Sequence, residues 1–94
     1  MDELRANIDL ADREILKYFC LRMETARAIG EYKEAHGLPT LDAAREAKKL
    51  DAAAAAVPEK FAPYARELMV QLMALSRAYQ NETRGLPQEE NEHA

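Results

Sequence analysis

The stretch from Asp2 to His36 contains no proline, and its apolar residues recur every three or four positions. Leu4, Ile8, Ala11, Ile15, Tyr18 or Phe19, Ala26 and Ile29 share one stripe, which predicts a single amphipathic helix. Asp2 and Glu3 suit its start, where the helix dipole favours negative charge. Gly37 suits the position just past its end, and Pro39 prevents continuation. Gly30 lies inside the run, either tolerated or marking a close approach of another element. At a rise of ~1.5 Å per residue such a helix is about 50 Å long. A compact domain of this size has a radius of gyration of only about 12–13 Å. The helix therefore overhangs any three-helix monomer, and half of its stripe faces water. A second copy laid alongside would cover both stripes in an isologous dimer. A bent or frayed helix in a monomer is the alternative, and burial of apolar surface favours the dimer.

The rest of the chain also reads as helix, so the expected fold class is all-α, with three helices per protomer. Three Gly and four Pro supply too few turns for a many-stranded sandwich or barrel. A second helix is expected from Asp42, as N-cap, to about Ala56. The run Ala52 to Ala56 either packs closely on another helix or ends this one. A third helix starts between Pro58 and Pro63, either of which fits a first turn. Its expected stripe is Phe61, Tyr64 or Ala65, Leu68, Leu72, Leu75 and Tyr79, and it ends near Gly85-Leu86-Pro87. Residues 1–87 make one domain, and the polar residues 88–94 form a tail expected to be frayed or disordered.

Charge and composition narrow the function. The net charge of −4 argues against a nucleic-acid partner, which a basic excess would serve. No apolar run approaches membrane-spanning length, and no Cys/His cluster has metal-ligand spacing, so neither a membrane nor a metal is expected. The single cysteine, Cys20, suits a reducing, cytoplasmic setting and reads as a small buried apolar residue without a role.

What interrupts the apolar stripe is the most informative feature. Continuing its steps brings Arg22 and then Lys33 onto it. They are eleven residues apart, only ~20° beyond three full turns, so both cations point the same way. Either internal carboxylates or an anionic ligand meets them there, or both long side chains reach back to the surface. On the third helix Ser76 and Gln80 share a face that continues through Met73 and Met69. That face is either a solvated boundary or a set of inward hydrogen-bond donors. Arg45 and Glu46 open the second helix beside Asp42, a placement that capping and solvated charges would also explain.

Taken in order, these pieces form a pattern. Leu4-Arg5-x-x-Ile8-Asp9-x-x-Asp12, Leu21-Arg22-Met23, Ile29-Gly30-x-x-Lys33, Pro39-x-x-Asp42-x-x-Arg45-Glu46 and Ser76-x-x-x-Gln80 resemble the all-helical (AroQ-class) chorismate mutases over roughly residues 4 to 80. The connector between the second and third helices looks short for that family. The resemblance implies an intertwined dimer with two equivalent sites. It implies the [3,3] (Claisen) rearrangement of chorismate to prephenate, in phenylalanine and tyrosine biosynthesis, with no cofactor. It further implies that Arg22, Arg5 and Arg45 face the carboxylates of the substrate, and that Lys33 and Gln80 donate to its ether oxygen. Glu46 would accept from the ring hydroxyl, and Asp42 would contact the same hydroxyl from a loop. Ser76 would be a secondary polar contact, and Ile29 and Met73 apolar walls.

Arg5 and Arg22 are seventeen residues apart, about 25 Å along a straight helix. If Arg5 binds substrate, it therefore reaches the site of the other protomer, as the resemblance also implies. Two rival functions remain in view. An isochorismate-pyruvate lyase of the same fold is disfavoured by the intact Asp42-x-x-Arg45-Glu46 segment. A non-catalytic dimerisation or regulatory module would be expected to lack members of the cationic set, and none is missing.

Overall fold

A computed structural model describes residues 1–89 of the chain. Its elements are α1 (Asp2–Ala35), α2 (Ala43–Ala55) and α3 (Ala62–Arg84), with a single 3-10 turn at Glu59–Phe61 leading into α3. The described residues contain helices and no strand. The three expected helices are all present, with boundaries within a residue or two of those predicted.

Local chemistry accounts for the boundaries. Asp42 caps α2, its Oδ1 accepting from Arg45 N at 3.1 Å. Pro58 closes the short connector after α2, and Pro63 lies in the first turn of α3, where a missing N–H costs little. Gly85 ends α3 in the left-handed region at φ 69°, and Leu86 N then donates to Asn81 O at 2.8 Å.

The chain is elongated. Its extents are 50 × 28 × 24 Å and its radius of gyration is 15.7 Å. The long dimension is α1 itself. α3 is the central element, packing against the C-terminal half of α1 on one side and against α2 on the other, while α1 and α2 do not pack together. α2 turns Glu46, Leu50, Ala53 and Ala54 inward, at helical spacing, so its alanines do serve close packing. Gly30 lies at a close approach of α1 to α3. A Cβ there would stand 3.1 Å from Gln80 Cγ.

Burial follows a different pattern from the apolar stripes. Among the described residues the buried apolar side chains are Ala26 and Met73, with Gly30 buried beside them. Every described residue before Phe19 is exposed, among them Leu4, Ile8, Ile15 and Leu16. Phe19, rather than Tyr18, begins the half-buried part of the stripe. Cys20 is exposed, contrary to the expectation that it is buried, because one residue past the half-buried Phe19 the helix has turned about 100° off the face that packs on α3. The expected core stripe of α3 also needs correction. Phe61, Tyr64, Leu68 and Leu75 are exposed, whereas Met73, Ser76, Gln80 and Asn81 are buried. Hydrophobic periodicity marks the faces that favour leaving water, and α3 turns its more polar face toward α1. The accessible surface is 7575 Å², against about 5,500 Å² for a compact monomer of this mass.

Candidate active site

The half of α1 that packs on α3 forms, with the start of α2, a cleft of about 330 Å³. Of the residues expected at a site, Arg22, Ile29, Lys33, Asp42, Arg45, Glu46, Met73, Ser76 and Gln80 all line it. Arg5 does not; it lies on the exposed N-terminal half of α1.

The two cations on the stripe turn inward rather than out to bulk water. Arg22 Nη1 donates to Leu72 O at 3.1 Å and to Ser76 Oγ. Ser76 Oγ in turn donates to Leu72 O at 2.9 Å, so the hydroxyl sits between the guanidinium and the α3 backbone. Lys33 Nζ donates to Thr40 O at 2.6 Å across the α1–α2 loop. The alternative of a solvated Ser76–Gln80 edge is also excluded, since their exposures are 8% and 6%.

Gln80 carries a buried, unsatisfied polar atom at the cleft wall. Its Oε1 is enclosed and has no hydrogen-bond partner among the described residues. An orphaned buried amide oxygen costs about 1–3 kcal/mol, which a bound donor would offset.

Several lining residues escaped the sequence reading: Thr25, Thr40, Lys49 and Arg77. Arg77 is the most consequential. Its Nη1 donates to Glu46 Oε1, and its Nε donates to Glu89 Oε1 at 2.6 Å. Burial disfavours its charge, but the bonds to Glu89 and Glu46 outweigh that and hold the guanidinium above its ordinary range. A signal for it existed in the sequence, because Met73, Arg77 and Gln80 follow one another at steps of four and three.

Arg84, also unforeseen, fixes the loop that carries Thr40. Its side chain is 7% exposed. It donates to Glu34 Oε2 at 2.8 Å, Thr40 Oγ1 at 3.0 Å and Leu38 O at 2.8 Å. Five cations and two carboxylates line the cleft, a local excess of positive charge in a chain whose net charge is −4. Such a concave, cationic pocket attracts small anions. Among the described residues no cluster of His, Cys, Asp or Glu could hold a metal ion, and no helix is long and apolar enough to cross a membrane.

Comparison with known proteins assigns this arrangement to a family. The sequence matches the family described as chorismate mutase type II over residues 4–81. The chain belongs to that family. It is also similar to the T-protein of Haemophilus influenzae, with 38% identity over 52 residues. That match covers 55% of this chain and 14% of the relative. No solved structure matches the chain. The family match takes in α2 and most of α1 and α3, and it includes every expected site residue from Arg5 on α1 to Gln80 on α3.

Proposed function

We propose that the chain is a chorismate mutase, rearranging chorismate to prephenate at the cleft between α1, α2 and α3. The observation that carries the reading is that Arg22 and Lys33 point into one cleft, where their hydrogen-bond partners are neutral. Their charge is thus uncompensated locally and free to meet an anion. Chorismate is a dianion with an ether oxygen and a ring hydroxyl. Its rearrangement is intramolecular and needs neither a covalent intermediate nor a cofactor. The protein's work is to hold the folded conformer and to stabilise negative charge growing on the ether oxygen as the C–O bond breaks.

Each role follows from the group available. Arg22 grips a carboxylate, for which a guanidinium offers two parallel donors. Ser76, bonded to Arg22, fixes that guanidinium and contacts the same end of the ligand. Arg45 faces the anionic end from the first turn of α2. Lys33 and the N–H of the Gln80 side-chain amide donate to the ether oxygen, and Gln80 is held at the cleft wall in its buried position on α3. Glu46 accepts from the ring hydroxyl, and the backbone at Asp42 contacts it from the loop. Ile29 and Met73 wall the ring. Donors already in place in a dry site need not reorganise as charge develops, so they favour the transition state over the ground state.

The working unit is a homodimer. The exposed stripe of α1, the exposed leucines of α3 and roughly 2,000 Å² of accessible surface beyond that of a compact monomer are the scale of an obligate interface. Arg5, about 25 Å from Arg22 on the same helix, then completes the site of the partner copy. The reaction belongs in the cytoplasm, where a lone exposed thiol such as Cys20 stays reduced.

The deciding experiment is chromatography of the products from chorismate and, separately, from isochorismate. Prephenate from chorismate is the expected result. Salicylate with pyruvate from isochorismate, without prephenate from chorismate, would replace the reading with a lyase. No turnover of either, with no binding of a bicyclic transition-state analogue, would leave a non-catalytic module.

A further inference from the structure

The cations of the cleft divide by the partners they keep. Arg22 and Lys33 donate to carbonyl and hydroxyl oxygens, so their charge stays available to an anion. Arg77 donates instead to two carboxylates, Glu46 and Glu89. Those two negative charges more than offset one guanidinium, so Arg77 adds no net attraction for a dianion. Its exposure, 17% for the side chain, and that of Glu46, 24%, place the pair at the cleft wall and largely out of water.

The geometry explains what such a pair can do. A guanidinium is planar, with its N–H bonds in fixed directions. Tying Nε to Glu89 therefore sets where Nη1 points, and Nη1 meets Oε1 of Glu46. The other oxygen of Glu46 is left for a second donor. Glu89 is itself brought into place by the turn at Gly85, after which Gln88 Nε2 donates to Ala78 O at 3.0 Å. Residues 86–89 thus lie back along the helix that carries the cleft.

We infer that Arg77 is a positioning residue: oriented by Glu89, it holds the Glu46 carboxylate toward the cleft and thereby makes the site select ligands bearing a ring hydroxyl. The inference rests on the role of Glu46 under the proposed function and adds to it the device that aims the carboxylate. It also makes residues 86–89 contributors to specificity.

The test is calorimetry with two bicyclic dianions that mimic the rearranging substrate, one carrying the hydroxyl and one lacking it. The native chain should prefer the hydroxylated analogue by about tenfold or more, the scale of one hydrogen bond to a charged acceptor. In Arg77→Met that preference should fall to within about threefold, with the affinity for the deoxy analogue retained. Arg77→Lys should recover part of it, because one ammonium keeps the charge but not the fork. Glu89→Gln, a change at a more exposed position, should lower the preference in the same direction by less. A purely structural role would weaken both analogues together. An unchanged preference in Arg77→Met overturns the inference, whether both analogues weaken equally or neither does. Should Arg77→Met fail to fold, an unchanged preference in Glu89→Gln overturns it instead. If the native chain binds neither analogue, the proposed function falls first and the inference with it.

Discussion

The two halves of α1 obey one helical period and meet opposite conditions. From Asp2 to Tyr18 every residue is exposed, although Leu4, Ile8 and Ile15 form an apolar stripe. From Phe19 to Ala35 the stripe continues with Arg22, Ala26, Ile29, Gly30 and Lys33, and this half packs on α3. The apolar half is the one left in water, and the half bearing two cations is the one covered. A folded monomer would be expected to arrange these the other way. Under the proposed function the contrast has a reason: the second half is held for its chemistry, and the first half is the surface that a second copy would cover.

The largest expected effect falls on the covered half. Lys33→Ala should lower kcat/KM for chorismate by about a thousandfold, since it removes a charged donor from the developing ether oxygen. Substrate-depletion kinetics would check it. A loss below about tenfold would mean that the ammonium, tied to Thr40 O at 2.6 Å, serves only the loop.

The next effect joins the two halves. Arg5→Ala and Arg22→Ala chains should each be nearly inactive alone. Mixed in equal amounts, they should regain activity in about a quarter of the sites, because half of the dimers are mixed and each of those rebuilds one intact site. No recovery after confirmed subunit exchange would confine catalysis to a single chain and remove Arg5 from the site.

Ile8→Asp probes the uncovered half alone. A carboxylate on a covered stripe costs several kcal/mol, so the dimer mass in sedimentation should halve or the helix signal collapse. Lys17→Asp, roughly 180° around the helix from Ile8, should leave the mass unchanged. Equal behaviour of the two variants would show that the N-terminal half really is solvated all round.

The same contrast explains what was legible in the sequence. The length of α1, the Asp42 cap and the Gly85 stop are local matters of propensity and backbone geometry, and they could be read residue by residue. Gly30 could be flagged as a close approach, but only the fold identifies Gln80 as what approaches it. The inward turn of Arg22 and Lys33 was one of two readings, because a long cation on a stripe is also free to reach the surface. The buried face of α3 was misjudged because its leucines outrank Ser76 and Gln80 in hydrophobicity, and periodicity does not say which neighbour covers which face. Arg77 and Arg84 were missed because a lone arginine on a helix reads as solvated charge until its partners, Glu46 at 31 and Glu34 at 50 residues' separation, are brought beside it.

The smallest effect discriminates most finely between holding a group and doing chemistry. Ser76 Oγ accepts from Arg22 Nη1 and donates to Leu72 O, yet Arg22 also reaches Leu72 O directly at 3.1 Å. Ser76→Ala therefore removes one of two anchors of the guanidinium and leaves no charge unpaired. A neutral hydrogen bond contributes about 1 kcal/mol, so kcat/KM should fall by less than about tenfold, mostly through KM. Lys33 has no such substitute in the cleft, since the other proposed donor to the ether oxygen, Gln80, carries no charge. Losses of similar size in Ser76→Ala and Lys33→Ala would mean that the cleft works by shape and anchoring alone, and the division between clamp and ether-oxygen donor would have to be withdrawn.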